Sequence, residues 1–338
     1  MAPRIILGLM GFAPDENTGA RLHKLSDLTT ALDRFTARGF HELDTARSYG
    51  GGAQEGVTRQ AGWRERGCAI ATKVYPLVAG THSAEKVTEE FEKSLKELGA
   101  DCIDIAYLHA PDRSIPFEET LGAMNELHKR GKFKKLGLSN YAAYEVAEMV
   151  MICKERGWVR PTVYQGVYNV LQRGVEAELL PACRRYGLDF VVYSPIVGGL
   201  LSGRYTGAEE VPTEGRFSDK FLGGWVRGLY WKESTFQAVR ELKDVADKEG
   251  VGMVEVALRW LVHHSAIDVT KGDGIIIGVS RLEHLDANLD ALEKGPLSKE
   301  LLEAVERMGR IAKAEETPYW HGTLEYGYDT KQVLFGDK

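Results

Sequence analysis

The feature that most constrains this chain is an alternation. Short β-rich runs are separated by longer, mostly amphipathic stretches, and eight such runs are present: RIILG, HELDT, CAIATKV, IDIAYLH, KKLGLSN, TVYQGVYN, DFVVYSP and GIIIGVS. Residues 25–38 carry apolar side chains at helical spacing (Leu28, Ala31, Leu32, Phe35), followed by a Gly39 that suits a helix end. Further helices are predicted near 83–98, 117–130, 142–156, 175–186 and over a segment that takes in Leu285 to Leu292. Strands joined by crossover helices are parallel, and eight units favour a closed (β/α)8 TIM barrel over an open α/β sheet. A dinucleotide-binding open sheet would want GxGxxG just after its first strand. Here the first strand runs into GLMGFAPDENTG, which lacks that spacing. The expected organisation is one barrel domain over 1–338, with 204–233 as an insertion loop after the seventh strand and 315–338 as a C-terminal tail near the mouth.

Composition agrees and narrows the function. At 338 residues and 43% hydrophobic composition, the chain has ample material for a large core. The net charge of -6, with both signs spread along the chain, gives no nucleic-acid footprint. No apolar run approaches the roughly 20 residues that a membrane helix needs. The opening MAPRIILGLMGF reads poorly as a signal peptide, so a cytoplasmic location is expected. Cys68, Cys102, Cys153 and Cys183 have no CxxC or metal-like spacing, which suits reduced core thiols. His263 and His264 follow an amphipathic stretch without a ligand partner at metal spacing, and read as helix-end histidines. Gly50–Gly52 lack a GK[ST] ending and read as a flexible loop rather than a phosphate loop.

In a (β/α)8 barrel the chemistry gathers where strands end. Asp44, Lys73 and His109 close three successive strand-like runs, and Tyr49 sits in the loop after the first of them. A free phenol, with pKa about 10, is a poor proton donor near neutral pH. A nearby ammonium favours the phenolate and lowers that value. Lys73 can supply the charge, Asp44 can hold Lys73, and His109 can orient a carbonyl oxygen. Such a group protonates a developing alkoxide. None of its members supplies a hydride, so a nicotinamide cofactor is implied.

The motifs GFHELDTARSYGGG, ATK, YLH, GLSNY, VYQGVYN, YSPIVGGLLSGRY and GVSRLEHLDANLDALEKGPL together resemble the aldo-keto reductase superfamily over nearly the whole chain. GRFSDKF, LYWKE and GPL are most similar to its aflatoxin-aldehyde reductase branch. The resemblance implies that Asp44, Tyr49, Lys73 and His109 form the catalytic tetrad for reducing a small-molecule aldehyde or ketone with NADPH. It implies that Ser139, Asn140 and Gln165 hold the nicotinamide carboxamide, with Asp44 beside them and Tyr193 stacked on the ring. Ser194, Pro195, Ile196, Gly198, Arg204 and Arg216 would surround the pyrophosphate or adenosine phosphate. Gly278, Ser280, Arg281, His284 and Asn288 would bracket the adenosine end. The alternative is a non-catalytic NADPH-binding regulatory subunit like the potassium-channel β subunits. Those are expected to depart from the tetrad at the histidine and to carry tryptophan at the stacking position, whereas this chain has His109 and Tyr193. No nucleic-acid, membrane or metal partner is expected, and the protein is a monomer or homodimer on this reading.

Two aromatic-rich irregular segments remain. The insertion holds Phe217, Phe221, Trp225, Tyr230 and Trp231, too aromatic for a disordered linker. The tail holds Tyr319, Trp320, Tyr326, Tyr328 and Phe335. A substrate pocket is expected from Met10, Phe12, Tyr49, His109, Trp225, Tyr230 and Trp231, with Tyr319 and Trp320 foremost in its tail wall.

Overall fold

A computed structural model describes residues 3–205, 207–209, 211–213, 215–219 and 223–336. The eight strands form a closed barrel in sequence order. They are β1 Arg4–Gly8, β2 Glu42–Asp44, β3 Ala69–Val74, β4 Ile103–Leu108, β5 Phe133–Ser139, β6 Pro161–Val167, β7 Asp189–Tyr193 and β8 Gly274–Ile277. All pairings are parallel, and β8 closes on β1 with Ile5 opposite Ile275 and Ile6 opposite Ile276. Period-two alternation sends successive side chains to opposite faces. Ile5 and Leu7 accordingly pack outward under the helices, while Ile6 points into the barrel with Ala71, Ile105, Tyr107, Val163, Val191 and Ile276. The interior is filled by side chains, so nothing passes through it. Gly137 belongs to that packing, because a Cβ there would stand 2.3 Å from the Tyr107 ring.

The crossover helices are α1 Leu25–Ala37, α2 Gln54–Gln60, α3 Ala84–Leu98, α4 Phe117–Lys129, α5 Ala143–Arg156 and α6 Leu179–Tyr186. After β7 come α7 Gly223–Tyr230, α8 Glu233–Glu249 and α9 Met253–His263. After β8 come α10 Leu282–Glu293, α11 Lys299–Lys313 and α12 Thr330–Phe335. In α1 the buried residues are Leu28, Ala31, Leu32 and Phe35, one apolar stripe facing the barrel. The helix expected over 175–186 is two pieces, a 3-10 turn at Gly174–Glu176 and α6. His263 and His264 hydrogen-bond the main chain at Lys294 and Leu297. Among the described residues no helix is long and apolar enough to cross a membrane, and all four cysteines are free thiols.

Because every strand runs the same way, the ends of β2, β3, β4, β5, β6 and β7 bring Asp44, Lys73, His109, Ser139, Gln165 and Tyr193 to one mouth. Arg4 marks the opposite end, paired there with Glu42 at 2.6 Å.

Candidate active site

Lys73 is the centre of the mouth. Its ammonium is wholly buried, 2.7 Å from Asp44 Oδ2, 2.6 Å from the Thr45 carbonyl and 3.4 Å from the Tyr49 hydroxyl. It also lies 4.8 Å from the centre of the Tyr49 ring. Burial acts to lower the Lys73 pKa, but Asp44 and Tyr49 outweigh it and the pKa is raised. The other carboxylate oxygen of Asp44 accepts a 2.7 Å bond from Gln165 Nε2, so the carboxylate is gripped from both sides.

Tyr49 stands on a tight 3-10 turn, Tyr49–Gly52. Gly50 and Gly51 have φ of 59° and 64°, which glycine adopts freely. A Cβ on Gly50 would lie 2.6 Å from that of Ala13. The flexible loop expected at 50–52 is therefore a held turn. Arg47 fastens it by donating to the Gly52 carbonyl at 2.8 Å and by pairing with the buried Glu55, which accepts in turn from Thr72.

The expected lowering of the Tyr49 pKa is not what the geometry gives. Burial raises it and Asp44 adds to the rise. The charges of Lys73 and Arg216 oppose this, and the result stays above the ordinary phenol value. The phenol is thus a proton-bearing acid throughout the neutral range.

His109 faces Tyr49 at 5.9 Å between ring centres and Tyr75 at 5.3 Å, both edge-on. Burial, then the charges of Lys73, His321 and His82, hold its pKa well below the ordinary imidazole value, so the ring is neutral. Its Nδ1 is buried without a partner. An orphaned acceptor is more readily tolerated than an orphaned N–H, which favours the tautomer with the proton on Nε2.

Asn140 joins the mouth together. Its Nδ2 donates to the His109 carbonyl at 2.8 Å and to Ser139 Oγ at 3.0 Å, and its Oδ1 accepts from the Tyr193 hydroxyl at 2.8 Å. Among the described residues, Asn140, Ser194 and Val197 are the non-glycine residues with positive φ (62°, 55° and 56°). All three lie just beyond strand ends at this face. Such backbone costs about 1–3 kcal/mol per residue and persists where the surroundings enforce it.

A second cluster lies where α10 begins. Ser280 Oγ is 3.2 Å from His284 Nδ1, and Arg281 and Arg204 both act electrostatically on that ring. Gly278 has open space where a side chain would stand. Asn288, one turn beyond His284, is 5% exposed, with no hydrogen bond to its amide among the described residues.

The site residues expected from sequence divide accordingly. Arg216 is solvent-exposed on the segment after β7, and its charge acts weakly on Tyr49 and Tyr230. Phe12 is 1% exposed and belongs to the main core, so it does not line the cleft. Trp231 packs among Tyr205, Phe217 and Phe236 and donates to the Ala208 carbonyl, which makes it the centre of a structural aromatic cluster. Tyr230 is buried, bonded to Gln172. Phe221 lies outside the described residues. Tyr319 is buried too, donating to Glu178 at 2.8 Å and accepting from the Ala143 amide at 3.0 Å, and Trp320 packs edge-on against it. Tyr319 is thereby tied to the start of α5, while Trp320 is half-buried beside it. Met10 is half-buried just past β1.

The tail reaches the mouth through a residue that the sequence did not flag. His321 donates its backbone N–H to the Asn140 carbonyl at 3.0 Å and accepts at its own carbonyl from Arg113 at 2.6 Å. Its ring contacts Tyr75, 6.1 Å between centres, and Trp225 of the insertion, at 5.3 Å. The row His109, Tyr75, His321, Trp225 therefore links the centre of the mouth to its rim.

The family model described as the aldo/keto reductase family matches residues 4–310, leaving the tail outside. The chain belongs to the aldo/keto reductase family. It is 44% identical to an aldo-keto reductase of Pseudocercospora fijiensis, over 86% of this chain and 99% of that one. It is 40% identical to aflatoxin B1 aldehyde reductase member 2 of Rattus norvegicus, over 94% and 87%. The aldo-keto reductase pigE of Monascus ruber matches at 35%, over 93% and 95%. This chain is thus an oxidoreductase, and its family works with nicotinamide dinucleotides. Its own residues fit such a group. Tyr193 is half-buried at the mouth, and Arg281 and Arg204 act on His284 of the α10 cluster, with the largely buried Asn288 one turn beyond.

Proposed function

We propose that this reductase converts aldehydes or ketones to alcohols with NADPH, using Tyr49 as the general acid. The observation that carries the reading is the Lys73 ammonium, which touches both Asp44 and the Tyr49 hydroxyl while His109 faces the same phenol. When bound, the reduced nicotinamide supplies the hydride. His109, neutral with its proton on Nε2, donates a hydrogen bond to the substrate oxygen and aims the carbonyl. As negative charge builds on that oxygen, Tyr49 gives up its proton. The fixed charge of Lys73 stabilises the phenolate left behind, and Asp44 keeps Lys73 charged and in place. Ser139, Asn140 and Gln165 frame the carboxamide position, and Tyr193 supplies the stacking face. The Ser194 to Gly198 turn (Ser194, Pro195, Ile196, Gly198) lies along the pyrophosphate. Ser280, Arg281 and Arg204 meet the 2′-phosphate.

The substrate is a small carbonyl compound, with aldehydes foremost because relatives sharing about 40% of residues are named aldehyde reductases. A complete tetrad and Tyr193 favour catalysis over a sensing role.

The test is consumption of NADPH with an aryl aldehyde such as 4-nitrobenzaldehyde, with one alcohol formed per NADPH lost. Absence of alcohol across an aldehyde panel contradicts the reading. Charge-assisted bonds to a phosphate contribute roughly 1.5–3 kcal/mol. NADPH is accordingly expected to bind at least about tenfold tighter than NADH in fluorescence titration at one salt concentration. Equal dissociation constants contradict the phosphate assignment.

A further inference from the structure

The α10 cluster contains one member whose charge is not fixed. Arg204 and Arg281 are permanently cationic, but His284 is not. The ring sits one turn into α10, with Ser280 Oγ at 3.2 Å on Nδ1. The charged groups that bear on it are Arg281 and Glu283 from its own end of the helix and Arg204 from the segment after β7. Asn288 follows on the same helix face, nine-tenths buried and without a hydrogen bond among the described residues. The helix N-cap, Arg281, makes no side-chain capping bond. Two fixed cations, a hydroxyl, an uncapped helix start and the amide of the largely buried Asn288 describe a seat for an anionic, nucleotide-like group.

We propose that His284 is the titrating third cation of this seat, so that binding the phosphorylated dinucleotide takes up a proton and favours it over the unphosphorylated one more strongly as pH falls. The inference rests on the NADPH reading above.

The sign follows from the surroundings. With the seat empty, partial burial and then the charges of Arg281 and Arg204 hold the imidazole below its ordinary pKa, with Glu283 opposing, so it is neutral at pH 7. A 2′-phosphate carrying close to two negative charges offsets the two arginines and favours the protonated ring, in which both nitrogens donate. Affinity for NADPH therefore gains a contribution at low pH that is lost as pH rises through the pKa of the bound state. The ligand's own titration has the opposite sign. A phosphate monoester with a second pKa near about 6 becomes more negative as pH rises, which strengthens its attraction to the arginines.

The experiment measures dissociation constants for NADPH and NADH between about pH 6 and pH 8 by intrinsic fluorescence, on the wild type, His284→Gln and His284→Arg. Calorimetry in two buffers of different ionisation heat gives the protons taken up. In the wild type the NADPH-to-NADH ratio of dissociation constants is expected to rise roughly tenfold across this range, with net proton uptake on binding NADPH. His284→Gln keeps a hydrogen-bonding side chain without a titrating charge, so its ratio stays flat or falls and uptake is lost. His284→Arg binds NADPH tightly with the same pH trend as the Gln variant. NADH affinity, similar in all three proteins, reports an intact nucleotide site. Parallel pH curves for the wild type and His284→Gln, with NADPH still tighter than NADH, overturn the role of His284 alone. NADPH no tighter than NADH at any pH overturns the phosphate seat and with it this inference.

Discussion

Protonation at the mouth is decided by which neighbour wins at each residue. For Lys73, a carboxylate at 2.7 Å outweighs burial, and the ammonium persists. For Tyr49, burial outweighs Lys73, and the phenol keeps its proton. For His109, burial and neighbouring positive charge act together, and the ring stays neutral. An acid catalyst must be protonated to work, so its rate is lost only as pH rises through its pKa. Because that pKa is raised, kcat for reduction at saturating NADPH is expected to stay level through neutral pH and to decline only above about pH 10. His109, already neutral, adds no limb between about pH 6 and pH 8. A stopped-flow profile of the hydride-transfer step checks this, and a midpoint near pH 7 contradicts it.

The decisive elements are the two irregular ones, the insertion after β7 and the tail. The tail is held where α5 begins. Arg113 and Glu145, 7% and 0% exposed, form a two-bond ion pair. Glu145 also accepts from the Ala142 amide, and Tyr326 donates to it at 2.7 Å. Arg113 holds the His321 carbonyl as well. Removing one partner of a buried pair strands the other charge, typically at about 3–5 kcal/mol. Arg113→Ala is expected to lower stability by that order in urea unfolding and to raise KM for carbonyl substrates, because His321 loses its anchor. Unchanged stability and KM contradict this hold on the tail. The same elements show where sequence reading stopped. The period-two runs and the stripe of α1 were legible because they repeat locally. The contact of His321 with Tyr75 joins residues separated by 246 positions, and no local pattern encodes it. Aromatic content predicted correctly that the tail packs, but not which ring faces the cleft. Tyr319 and Trp231 went to structural seats because their polar atoms found partners there.

At the scale of the whole molecule, parallel strands closed in sequence order bring six strand ends to one face, so the site follows from the topology. That is why the positions of Asp44, Lys73 and His109 could be anticipated from the ends of their strands. The place of Arg216 could not be read in the same way, since it lies on the long irregular segment after β7 and closes no strand. On the proposed reading, hydride transfer and protonation share this single face, and the proton comes from the Tyr49 hydroxyl. The most direct measurement is the single-turnover rate of carbonyl reduction by Tyr49→Phe with NADPH bound, beside its dissociation constant for NADPH. The phenyl ring keeps the shape of the mouth and removes only the proton. The expected result is a rate lower by ~10² to 10⁴ with NADPH affinity essentially unchanged. A variant that keeps more than half the wild-type rate contradicts the assignment of Tyr49 as the acid.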